Sequence, residues 1–165
     1  MSEIDKFADP MVRQAAREII PAFCQYASEF ALDGIEELDG IAIPFPVGQG
    51  PDGKTLFVPI KPTFTVARKD QLTPYFVIGW ATLYLNDFQK KLISTIIMQS
   101  YLSQQDYLLS DAVVIGLPRI KYTKTRYHRT WEVKSYATLS NEQLADQFIR
   151  YGRALREVIK ELSVP

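Results

Sequence analysis

The 165-residue chain is 47% apolar and 23% charged, and its 19 basic and 19 acidic side chains cancel to a formal net charge of zero. A chain of this size buries roughly 70% of the surface its unfolded form exposes, and its composition is that of a globular domain rather than a disordered one. Neutrality excludes a global field for nucleic acid or membrane, so any such signal must be local, and a single cysteine, Cys24, excludes a disulfide framework and a multi-thiolate zinc site.

The opening Met1 to Pro10 has no basic region followed by an apolar one, so no secretory signal is read there. The longest apolar run, Tyr75 to Leu85, is shorter than the ~20 residues of a membrane helix and rich in aromatic and β-branched side chains. The expectation is a cytoplasmic protein with no membrane partner.

Asp9-Pro10 opens the first helix, Asp9 as N-cap and Pro10 at N1, where a missing N–H costs nothing. Val12, Ala15, Ala16, Ile19, Ile20, Phe23, Tyr26, Ala27 and Phe30 recur at helical spacing. Pro21 is expected to kink this helix or divide it in two, and Cys24 to be a buried core thiol. Asp33-Gly34 and Asp39-Gly40 signal turns. Glu36, Glu37 and Asp39 form a small acidic cluster that reads as a solvated turn.

Ile41 to Val47 and Thr55 to Ile60 then read as two strands around a Gly48–Gly53 hairpin loop. Pro44, Pro46, Pro59 and Pro62 lack donors, so these strands belong at an edge or are broken. Phe64 to Ala67 extends the second strand. Tyr75 to Leu85 is apolar on both faces and reads as a central, covered strand carrying a buried Trp80, with Gly79 as a bulge.

Asn86-Asp-Phe-Gln89 has the form of a capping box, and Phe88, Leu92, Ile93, Ile96, Ile97 and Leu102 follow as a helix stripe with Ile96 buried. Asp111 to Leu117 is a short buried strand, and Trp131 to Leu139 another. Ser140-Asn-Glu-Gln143 is a second capping box and starts a helix that runs to about Leu162. The order of elements predicts a single α+β domain over residues 1–165, with an antiparallel or mixed sheet and three main helices packed on it.

The sharpest local anomaly is Pro118 to Arg129, which holds Arg119, Lys121, Lys124, Arg126 and Arg129 and no acid. Tyr122 and Tyr127 interleave, and Trp131 follows. On an extended hairpin, cations would meet phosphates and aromatic faces would stack on bases. The bland counterpart is a solvated hairpin tip that protects an edge strand. Arg150, Arg153 and Arg156 would extend the same patch or simply oppose the dipole of the last helix.

A second constellation is Asp111 with Glu132-Val-Lys134, which has the acid…acid-x-Lys form of PD-(D/E)XK nucleases. Residues i and i+2 of a strand share a face, so Glu132 and Lys134 would point to one site. Asp111 and Glu132 would hold Mg²⁺ and Lys134 would activate the attacking water. Composition alone yields roughly one acid-x-Lys in a chain like this. His128 has no Cys or His nearby to share a metal, and Gly48-Gln-Gly lacks the helix start of a phosphate loop.

The last helix carries Leu144, Phe148, Tyr151, Leu155, Val158 and Leu162 in steps of four and three. This seam either covers the domain's own sheet or pairs two copies into a homo-oligomer. The expected function is therefore a non-catalytic module that binds nucleic acid or another polyanion through residues 119–131. A Mg²⁺-dependent nuclease and a protein-interaction or self-assembling module without chemistry are the alternatives, and no cofactor is expected outside the nuclease reading.

Overall fold

In the computed structural model, Asp9 caps the first helix as its sequence requires: its carboxylate accepts from the Met11 N–H at 2.7 Å, and α1 spans Pro10–Glu29. The structure describes residues 9–30, 32, 40–50, 52–68, 71–80, 82 and 85–162. The turns expected at Asp33-Gly34 and Asp39, the acidic cluster at 36–39 and the first eight residues lie outside these. Pro21 does not divide α1, which runs through it as one helix. Cys24 is exposed rather than buried. The residues α1 buries are Glu18, Ala22 and Tyr26, each four apart, and Cys24 is two residues from either apolar neighbour and so off that arc.

Among the described residues, six strands form two sheets. β1 (Ile43–Gln49) and β2 (Thr55–Ile60) pair as an antiparallel hairpin by themselves. β3 (Phe64–Arg68), β4 (Gln71–Ile78), β5 (Val113–Gly116) and β6 (Arg129–Glu132) form a four-stranded mixed sheet in that order. Phe64 to Ala67 is thus not an extension of β2. It turns back on β4, with Phe64 opposite Tyr75 and Arg68 opposite Gln71. β4 and β5 are parallel, so they require a crossover, and α2 (Asp87–Ser100) supplies it. The capping box that starts α2 is complete in both directions, Asn86 with Gln89 at 2.9 Å each way. α3 (Asn141–Leu162) begins at the second box, where Ser140 and Gln143 exchange the same pair of bonds.

The molecule is a single α+β domain built in layers. Strand alternation sends Tyr75, Val77, Val113 and Ile115 toward α1, where they meet Ala22, Tyr26 and Phe23. The intervening Phe76, Ile78, Ala112 and Val114 face α2 and meet Ile97 and Tyr101. The other side of α2, through Leu92 and Ile96, meets Phe45 and Val47 of β1 together with Leu144 and Phe148 of α3. Ile96 is therefore half-buried between α2 and the hairpin, and its neighbour Ile97 is the deeply buried one.

Two strand ends differ from the expected ones for the same reason, a backbone group taken by another partner. β4 stops at Ile78, whose carbonyl accepts from Leu117 N–H, and the next carbonyl, of Gly79, accepts from Arg126. Trp80 therefore lies past the sheet and is 56% exposed. β6 stops at Glu132, and Val133–Ser135 is a 3₁₀ turn because Asp111 accepts from the Lys134 N–H.

α3 packs on the β1–β2 hairpin through its first half, with Leu144 buried and Phe148 edge-on to Phe45 at 5.8 Å between ring centres. Its second half leaves Val158, Ile159 and Leu162 exposed. No helix among the described residues is long and apolar enough to cross a membrane.

Candidate nucleic-acid interface

The basic segment joins β5 to β6 and folds back on itself. Arg119 and Arg126 pair as an antiparallel bridge, and Ile120 N–H donates to Thr125 at 2.8 Å. Thr123 tightens the tip: its hydroxyl donates to the Ile120 carbonyl at 3.0 Å and accepts from the Thr125 N–H at 3.2 Å. Tyr122 takes a φ of +64°, a left-handed conformation that side chains other than glycine seldom adopt. The residue is 91% exposed. The Lys121 ammonium lies 4.8 Å from the centre of that ring, and Lys124 is exposed two residues on.

The base of the hairpin is held by one carboxylate. Glu18 is buried on α1 and faces both arginines. Arg119 grips it with Nε and Nη2 at 2.6 to 2.9 Å, and Arg126 Nε donates to it at 3.2 Å. Gln14, one helical turn back, donates to it at 2.7 Å. Arg126 also donates through Nη1 to the carbonyls of Gly79 and Leu117 at 2.7 and 2.9 Å. Burial pushes the Glu18 carboxyl up. The bonds from Gln14 and Arg119, the Arg119 charge and the bond from Arg126 outweigh it and hold the group below its ordinary value.

This arrangement sorts the predicted site residues. Arg126 is buried and bonded within the protein, so it presents no charge to solvent, and Arg119 is half-covered beside it. Lys121, Tyr122 and Lys124 form an exposed tip. Arg129 is exposed on β6, its guanidinium 5.4 Å from the Tyr127 ring. Trp131 points to α2, where its indole N–H donates to Ser94 at 3.2 Å and Lys90 lies 5.8 Å from the ring centre. It belongs to the core. His128 packs edge-on to Tyr26 and Phe30 and lies 3.4 Å from Glu29. The α3 arginines do not extend the patch: α2 and the sheet lie between α3 and α1, and Arg150 pairs with Asp146 at 2.9 Å.

Between α1 and the hairpin runs a polar groove of about 430 Å³. Gln14, Arg17, Pro21 and Gln25 form one wall, and Lys124, Thr125 and Arg126 the other. Glu18 is the acid of this groove, and the two arginines neutralise it. Sequence reasoning missed Glu18. Its signal was present: an acid at the i, i+4, i+8 positions shared with Ala22 and Tyr26 lies in the apolar stripe and demands a cation from elsewhere.

The nuclease constellation does not assemble by the spacing that suggested it. Glu132 ends a strand and Lys134 sits in a 3₁₀ turn, so they are not i and i+2 of one strand. One oxygen of Asp111 accepts from the Ala112 and Lys134 N–H groups at 2.6 and 3.0 Å, which is a turn-capping role. Among the described residues, no group of three His, Cys, Asp or Glu side chains could hold a metal ion. Compared with known proteins, the chain matches no family model, no curated protein and no solved structure.

Proposed function

We propose that this chain is a non-catalytic module that binds nucleic acid or another polyanion through the hairpin spanning residues 119–131. The observation that carries the reading is the tip itself: Tyr122, 91% exposed in a left-handed conformation, between Lys121 and Lys124. A large aromatic held in water forgoes roughly 1.5–3 kcal/mol of burial. A left-handed tyrosine adds about 1–3 kcal/mol of strain, of the kind that collects at ligand clamps. The surrounding structure sustains both because the Glu18 anchor and the Thr123 turn keep the hairpin in one shape. Lysines offer phosphates their charge, and the ring offers a base its face.

The working surface in this reading is smaller than the sequence suggested. Lys121, Tyr122, Lys124 and Arg129 meet the ligand, while Arg119 and Arg126 position the hairpin. Replacing Lys121 and Lys124 together by Ala is expected to weaken nucleic-acid binding. The slope of log K against log salt should fall by about two, one for each phosphate that the variant no longer neutralises. Stability is expected to change by less than about 0.5 kcal/mol, since both side chains are exposed. Fluorescence anisotropy over about 50–200 mM salt measures the first and urea denaturation the second. Wild-type protein that binds neither heparin nor nucleic acid at low salt would remove the reading.

A second reading has its own observation. Val158 and Leu162 of α3 are 49% and 81% exposed on one apolar face, which suits self-association.

A further inference from the structure

Charge and shape on the α1–hairpin face bear on which form of nucleic acid would suit it. Proteins that hold duplex DNA by its backbone engage about 6–10 phosphates. The hairpin tip offers Lys121 and Lys124, with Arg129 behind them, because Glu18 engages Arg119 and Arg126. With Arg17 on the α1 wall of the groove, the face still falls short of that number. A single strand needs less, since each base stacked on an aromatic ring adds affinity without further cations.

The groove beside the tip is roomier than one base and is lined by groups that a base edge can use. At about 430 Å³ it lies near the lower end of small-molecule sites. Its α1 wall carries the amides of Gln14 and Gln25. Each donates one N–H to a glutamate four residues on, Gln14 to Glu18 at 2.7 Å and Gln25 to Glu29 at 2.8 Å. Those bonds orient the amides, and each amide has a carbonyl oxygen and a second N–H besides. A nucleobase edge presents donors and acceptors side by side in the same way. Pro21 and Ala22 supply an apolar patch for the base face, and Thr125 and Lys124 close the opposite wall.

We infer that the face formed by α1 and the hairpin binds single-stranded nucleic acid. One unpaired base enters the groove against Gln25, about 16 Å along α1 from Gln14, its phosphate meets Lys124, and a neighbouring base stacks on Tyr122. A base in a duplex cannot enter, because its edge is already paired. This inference rests on the polyanion reading above and narrows it.

The test compares a short oligothymidylate with a hairpin duplex of equal phosphate number, by anisotropy, for wild type, Tyr122→Ala and Gln25→Trp. Both substitutions are at exposed positions, and thermal denaturation checks that each variant folds. The single strand is expected to bind wild type more tightly than the duplex. Tyr122→Ala is expected to lose about ten- to a hundred-fold in single-strand affinity, and Gln25→Trp, which fills the groove, a loss in the same direction. Equal or tighter binding of the duplex, or single-strand affinity untouched by both variants, overturns the single-strand inference and leaves the polyanion reading standing. Absence of wild-type binding to either oligonucleotide and to heparin overturns both.

Discussion

Two buried polar side chains in this protein sit in opposite circumstances. Glu18 accepts hydrogen bonds from two guanidinium groups and an amide. Thr65, fully buried on β3, has a hydroxyl with no hydrogen-bond partner among the described residues. A buried polar group left unpaired costs about 1–3 kcal/mol, and an apolar group of the same shape avoids that cost. Thr65→Val is therefore expected to raise stability by about 1 kcal/mol, seen as a higher urea midpoint at unchanged slope. Glu18→Gln should act the other way. It leaves Arg126, whose side chain is 3% exposed, without a countercharge, and removing one partner of a buried ion pair costs about 3–5 kcal/mol. The same logic alters the expectation for the basic segment: Arg126→Ala is a stability variant, whereas Lys121→Ala is a surface one. The charges of that segment were legible in the sequence. Which of them point inward was not, because the answer lies with a glutamate about a hundred residues away on another element.

At the scale of elements, helix starts were the most legible features. Asn86 with Gln89 and Ser140 with Gln143 each satisfy orphan N–H groups locally, so nothing distant can move them. Strand ends were less legible because they are set by tertiary partners, Arg126 at Gly79 and Asp111 at Lys134. The seam of α3 shows both cases within one helix. As far as Gly152 it meets β1 at close range: a Cβ on Gly152 would lie 3.3 Å from the Gln49 carbonyl oxygen, and one on Gly48 would lie 3.1 Å from that of Phe148. Gly48 also has a φ of +123°, which glycine alone tolerates well. Gly152→Val is expected to push α3 off the hairpin and lower the melting temperature. Past Leu155 the helix covers little, with Val158 and Leu162 exposed. A chain ending at Leu155 is expected to keep a cooperative thermal transition within about 4 °C of the full-length one. Loss of that transition would show that the distal turns contribute to folding. A fall from dimer to monomer in light scattering, with the transition kept, would identify their partner as a second copy.

For the whole molecule, the Glu18 cluster ties the first helix to the hairpin that closes the sheet, so its ionisation belongs to global stability. The carboxyl has an ordinary value of 4.5 and a lower one in the fold. A group whose folded value is depressed contributes stability above its unfolded value, and that contribution is lost as pH falls through the folded one. Acid titration of the urea midpoint is expected to show a decline beginning near pH 4.5 in wild type, and a shallower one in Glu18→Gln. Equal acid limbs in the two proteins would deny Glu18 this role.

The same ion pair imposes an order on biosynthesis. Glu18 and Arg126 are 108 positions apart in the chain. At ribosomal speeds of about 5–20 residues per second, α1 waits about 5–20 s after its own completion before the arginine that neutralises its glutamate has been added. Throughout that interval the acid is a solvated obstacle to docking α1 on the strands already made. The nascent chain is thus expected to keep its first helix undocked until the hairpin arrives. A stop codon between residues 30 and 119 is expected to yield a polypeptide that leaves the Ala22–Tyr26 face open to proteases and chaperones, with no arginine hairpin to close it.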